Sequence, residues 1–114
     1  MAVINVYKFY GVTLATTDET TMFDSANTLP LVNETYIIKS FRVTNNTGNT
    51  PTITIKNNAF NIVNAQTLVA NASTEILTLP LVVEGAKLLK VTMSSSDSTT
   101  IGITYLIIKK EVTV

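Results

Sequence analysis

Apolar and polar residues alternate most regularly over residues 36–56, YIIKSFRVTNNTGNTPTITIK. In 52–56, Ile53 and Ile55 fall on one parity and Thr52, Thr54 and Lys56 on the other. Strand side chains alternate faces, so this pattern marks one buried and one wetter face. Upstream, Ile37, Phe41 and Val43 share a parity. Between the two runs lies Asn45-Asn46-Thr47-Gly48-Asn49-Thr50-Pro51. Asn and Gly tolerate the positive φ of tight turns, and Pro51 suits the first residue of a strand. The stretch therefore predicts a hairpin. Lys39 and Arg42 sit on opposite parities, so one of them faces the inner side unless a β-bulge re-aims it.

The same pattern continues along the chain. In 3–14, Ile4, Val6, Tyr10, Val12 and Leu14 share a parity that Lys8 interrupts. This predicts a long strand, or an arm that becomes a strand beside a neighbour. Residues 20–24 read as a short strand and 25–34 as a loop. In 57–64 (NNAFNIVN), a short strand between two turns is expected. Further strands are expected to begin at 66 and to run over 74–79, the latter with Leu77 and Leu79 on one parity and Pro80 as its stop. A short apolar segment (81–83) and a tight turn (84–86) precede 87–93, where Leu89, Val91 and Met93 point one way. After a polar loop (94–99), the closing strand 100–110 is apolar on both parities: Ile101, Ile103, Tyr105 and Ile107 against Leu106 and Ile108. A strand apolar on both faces is buried on both, so its second face is expected to meet another subunit or the N-terminal arm. No stretch keeps helical spacing. The pattern predicts an all-β chain: a single antiparallel β-sandwich or jelly-roll-like barrel, one domain over 1–114.

Composition sharpens this picture. Charged residues make up only 14% of the 114 residues, against about 25% in average globular proteins. Thr, Ser and Asn take their place, which suits packing beside many copies, although β-branched Thr also simply favours strands. Eight basic and eight acidic residues leave no net charge, and Arg42 is the one arginine. With no basic footprint, no nucleic-acid partner is expected. The N-terminus lacks the basic and apolar regions of a signal peptide, and no run is long enough to span a membrane, so synthesis in the cytoplasm and no membrane partner are expected.

Candidate chemistry is sparse. The chain has neither His nor Cys, which removes the usual bases, nucleophiles and transition-metal ligands. Acids lie in predicted turns or at strand ends, where solvation explains them. Asp18-Glu19 and the loop around Asp97 are the only local carboxylate clusters; neither has the spacing of a hard-cation site, so no metal is expected. Gly11, Gly48, Gly85 and Gly102 are isolated, so there is no phosphate loop and no cofactor is expected. The three Asn-x-Ser/Thr sequons read as turn chemistry. No enzymatic role is expected. A carbohydrate-binding adhesion module would rest on Tyr7, Tyr10 and Asn5.

The order of segments carries a resemblance. Thr21-Met22-Phe23, then Ile37-Ile38-Lys39-Ser40-Phe41-Arg42-Val43-Thr44-Asn45, Thr52-Ile53-Thr54-Ile55, Leu68-Val69-Ala70-Asn71-Ala72-Ser73-Thr74, the run from Leu79 to Leu88, and Ile103-Thr104-Tyr105-Leu106 follow one another. Over roughly residues 20–110 the chain resembles the small β-sandwich virion structural proteins of tailed bacteriophages. Where that family often has an acid after the glycine, this chain has Ala86. The resemblance implies a place on the virion after synthesis in the bacterial host: a capsid decoration (cement) protein, or else a neck, tail or baseplate subunit. It implies as partners copies of the chain itself, as a trimer or higher oligomer, and the major capsid protein or other virion proteins. Interface residues are expected on the N-terminal segment and the closing strand: Val3, Ile4, Val6, Tyr7, Phe9, Tyr10, Leu106 and Ile108.

Overall fold

A computed structural model describes residues 3–23, 34–84 and 87–110. Among them are nine strands: β1 (Val3–Leu14), β2 (Thr20–Thr21), β3 (Glu34–Asn45), β4 (Thr52–Asn57), β5 (Phe60–Thr67), β6 (Ser73–Glu75), β7 (Leu81–Glu84), β8 (Leu89–Met93) and β9 (Thr99–Lys110). They form two antiparallel sheets packed face to face, a β-sandwich. One sheet runs β1-β9-β3-β6, with β7 also on β3; the other runs β2-β8-β4-β5. The expected all-β sandwich class is thus observed. Only β4–β5 and β6–β7 are joined within one sheet; the other connections cross from sheet to sheet.

The core lies where the alternation places it. Ile53 and Ile55 of β4 and Leu89, Val91 and Met93 of β8 face Phe41 and Val43 of β3 and Ile101, Ile103 and Tyr105 of β9, all nearly or fully buried. At one end the filling is aromatic. Phe23 sits among Tyr10, Tyr36 and Tyr105, with ring centroids 5.0, 5.2 and 4.8 Å away. These separations suit tilted and edge-to-face pairing.

Burial, with a smaller contribution from the Glu34 carboxylate and the neighbouring Tyr105, pushes the Tyr36 phenol well above its ordinary value. A raised phenol pKa means that the folded state keeps the proton while the unfolded state loses it near pH ~10. Tyr36 therefore contributes stability that is present below that pH and is lost as pH rises above it. Chemical denaturation across the alkaline range should show stability falling, and a Tyr36→Phe variant should fall less steeply.

Four expectations change. First, β3 and β4 are not a hairpin: they belong to different sheets, and 46–51 arch between them. No residue of that arch has positive φ, Gly48 included. Its organiser is the buried Asn45 (1% exposed). The Asn45 amide donates to the carbonyls of Asn49 (2.7 Å) and Val69 (3.3 Å). Its Oδ1 accepts from the N–H (3.0 Å) and hydroxyl (2.8 Å) of Thr47.

Second, the β3–β9 register shifts between Ile38 and Ser40. This bulge leaves both Lys39 and Arg42 exposed, and puts Ile38, rather than Ile37, in line with Phe41 and Val43 on the buried side. Glu75 clamps the bulge from the neighbouring edge. Its carboxylate accepts from the Ser40 hydroxyl (2.5 Å) and from the Phe41 N–H (2.7 Å).

Third, the tight turn lies between β4 and β5. Asn57 pairs with Phe60, and Asn58 takes φ 58°. The short strand expected there and the one expected to begin at 66 are a single strand, the eight-residue β5, which ends at Thr67. Fourth, the expected strand 74–79 stops at Glu75; Leu77 is partly buried, whereas Leu79 is 76% exposed. Of the strand expected at 20–24, Thr20 and Thr21 pair with β8 and the Met22 N–H donates to the Leu89 carbonyl (2.8 Å), while 24 lies outside the described residues. The loop expected at 25–34 falls, up to 33, outside the described residues, as do 85 and 86 of the expected turn 84–86.

Candidate interaction surface

The outward face of the five-stranded sheet is built from the parities that the core does not use. The strand registers place its residues in rows. Tyr7, Leu106, Ile37 and Val82 lie side by side across β1, β9, β3 and β7. One row along, Phe9 stands beside Thr104 and Ser40. Next come Gly11, Gly102, Arg42 and Glu75, then Thr13, Thr100, Thr44 and Ser73. On the other side of the Tyr7 row, Ile108 neighbours Thr35. The face is therefore graded, apolar at one end and rich in hydroxyls at the other.

At the apolar end, Tyr7 is 65%, Phe9 70% and Val82 47% exposed, while Ile37, Leu106 and Ile108 are half-buried. Scattered exposed apolar residues are ordinary; a contiguous row marks a surface suited to a partner. Phe9 has a specific seat. A Cβ added at Gly11 or Gly102 would come within 3.1 Å of its ring, so the two facing glycines form the shelf on which the ring tip lies. Beyond it, a shallow trough of about 400 Å³ is walled by Phe9, Arg42 and Thr44.

At the polar end, side chains bond one another. The Thr13 and Thr100 hydroxyls are 3.2 Å apart, and those of Thr44 and Ser73 2.7 Å. The 46–51 arch is laced to β9 and to the loop before it: the Asn46 amide donates to the Thr100 hydroxyl (3.0 Å) and the Asn49 amide to the Asp97 carboxylate (2.9 Å). The hydroxyl of Ser95 and the Asn49 amide hold the Asp97 carboxyl below its ordinary value. These bonds stitch loops together. Among the described residues, no three acidic side chains gather as a metal group would require.

The residues expected at an interface separate. Val6, Tyr7 and Phe9 are exposed, and Leu106 and Ile108 are half-buried on the outward face. Tyr10 is a core residue, only 6% exposed, because its parity turns it inward onto Phe23. Tyr10 therefore cannot join Tyr7 in a sugar-stacking surface. Val3 and Ile4 belong to β1, but their side chains lie outside the described residues, as does that of Asn5. β1 itself lies along β9 of its own chain over its whole length, and its other edge pairs with no described strand. Sequence reading missed Ile37 and Val82. Ile37 was hidden by the bulge, and the signal that could have exposed it was the clash of parities between Lys39 and Arg42. Compared with known proteins, the chain matches no family model and no curated protein.

Proposed function

We propose that this protein is a non-enzymatic virion structural protein of a tailed bacteriophage, a capsid decoration protein bound to the coat lattice. The observation that carries this reading is the contiguous apolar row Tyr7, Leu106, Ile37 and Val82 on a domain with little charge. The resemblance of its segment order to that family gives it its context. Covering such a row removes apolar surface from water, at roughly 25 cal/mol per Å². Many weak contacts repeated over a lattice then act together through their high effective concentration. The edge of β1 that pairs with no described strand offers a second kind of contact, since a strand from another copy can complete its hydrogen bonds.

The test is binding of purified protein to isolated coat shells. Tyr7→Lys places a charge at the exposed β1 end of the row and should weaken binding by roughly tenfold or more. Its melting temperature should stay close to that of the parent, because Tyr7 is 65% exposed. Immunogold labelling of virions gives the position. Label over the head supports decoration; label confined to the tail or neck sinks it and moves the protein to a tail, neck or baseplate layer.

A further inference from the structure

Where the turn between β4 and β5 approaches β7, an open surface pocket of about 220 Å³ is lined by Asn57, Asn58, Phe60, Val82, Glu84 and Lys87. Its frame is held by backbone and amide bonds. The Asn57 amide donates to the Val82 carbonyl (2.9 Å), the Asn58 N–H to the Leu88 carbonyl (2.7 Å), and the Lys87 N–H to the Glu84 carbonyl (3.1 Å).

The groups left over within this frame share a chemistry. Phe60 is 73% exposed, an aromatic ring that the core does not use. Glu84 and Lys87 carry opposite charges, yet the ion pairs of the described residues are those of Glu19 with Lys56 and Lys90. Asn57 keeps its side-chain oxygen as an acceptor, and Asn58 adds an amide that both donates and accepts. A cation would meet Lys87 and an anion would meet Glu84. A neutral ligand whose neighbouring hydroxyls each donate and accept satisfies the carboxylate, the ammonium and the amides together. The same ligand needs an apolar face to lie against Phe60. The volume is below the roughly 300–1,000 Å³ of pockets for drug-sized ligands, which limits the occupant to about one ring.

We propose that this pocket binds one pyranose ring of a neutral glycoside. It is a site separate from the Tyr7, Tyr10 and Asn5 grouping, and it stands whether or not the protein decorates a capsid.

The test uses the isolated, isotope-labelled chain and amide chemical shifts. The probes are the methyl glycosides of glucose, galactose, mannose and N-acetylglucosamine, with glycine as a zwitterion of similar charge pattern. At least one glycoside should give saturable shifts at Asn57, Asn58, Phe60, Val82, Glu84 and Lys87. Phe60→Ala and Glu84→Gln should each weaken that binding by roughly tenfold, while Tyr7→Ala leaves it unchanged. The Glu84 variant removes no apolar contact and so separates recognition from folding. Shifts with none of the glycosides overturn the proposal. So do shifts centred elsewhere on the chain, equal binding by both pocket variants, or binding of glycine in place of the sugars.

Discussion

Replacing Phe23 with alanine is expected to cost about 3–5 kcal/mol, the range for deleting a buried aromatic ring. A domain of ordinary stability has roughly 5–15 kcal/mol in total, so the variant should be largely unfolded on modest heating. Phe23 is fully buried. It follows β2 in one sheet and sits against rings from β1, β3 and β9 in the other. Tyr36 and Tyr105 also touch each other, with centroids 4.8 Å apart, so removing Phe23 leaves a hole beside rings already committed to one another. The backbone adds a diagnostic. Phe23 is held at φ 69°, a left-handed conformation that costs a side-chain-bearing residue roughly 1–2 kcal/mol. Alanine keeps that cost and loses the ring; glycine loses the ring but relaxes the backbone. Urea unfolding should therefore rank the parent well above Phe23→Gly, and Phe23→Gly about 1 kcal/mol above Phe23→Ala. A loss below about 1 kcal/mol in Phe23→Ala would show that the aromatic cluster does not hold the two sheets together.

Asn45→Asp is the second large effect, although it changes only one atom type. The Asn45 amide nitrogen points at two carbonyl oxygens, those of Asn49 and Val69. A carboxylate there faces both with a lone pair and a charge, in a side chain only 1% exposed. An uncompensated buried charge costs about 3–5 kcal/mol. The opposite oxygen keeps its bonds from Thr47, so the loss comes from the donor side alone. The sign with pH follows. Protonation removes the charge and restores one donor, so the folded variant holds its proton more tightly than the unfolded chain does. The deficit relative to the parent should therefore shrink in acid and grow towards neutral pH. Paired melting curves in acid and at neutral pH check this. A constant deficit would place the cost in something other than the donor bonds.

Asn45 also shows where sequence reading stopped. Its neighbours Asn46, Thr47 and Gly48 carry the composition of a hairpin turn. A turn within one sheet and an arch between two sheets need the same small polar residues, so composition cannot distinguish them. The distinction lies in Val69, which is distant in sequence and supplies one of the carbonyls that Asn45 binds. The bulge at Lys39 belongs to the same class. A conflict of parities was visible in the sequence, but Glu75, whose carboxylate holds the bulge open, is a contact of long range. For the interaction surface, the two-sided closing strand signalled an outward apolar face through Leu106 and Ile108. Its width across β3 and β7 depended on registers that no local pattern encodes. The pocket beside Phe60 was illegible for a similar reason, since β7 and the turn between β4 and β5 are brought together only by the packing of the two sheets.

By itself the sequence determined the class of fold and the face that each regular strand buries. Period-two alternation in β4 and β8 is a local property, and water sorts those side chains without regard to partners. It also determined the chemistry open to the protein, because a chain without His or Cys has few reactive groups to arrange. Only the tertiary structure decided which strands are neighbours, and whether a polar turn stays within a sheet or crosses between sheets. It likewise decided which leftover apolar residues form one continuous row. Those outcomes depend on hydrogen bonds and contacts between residues far apart in the chain, and their energies exist only once the sheets have formed.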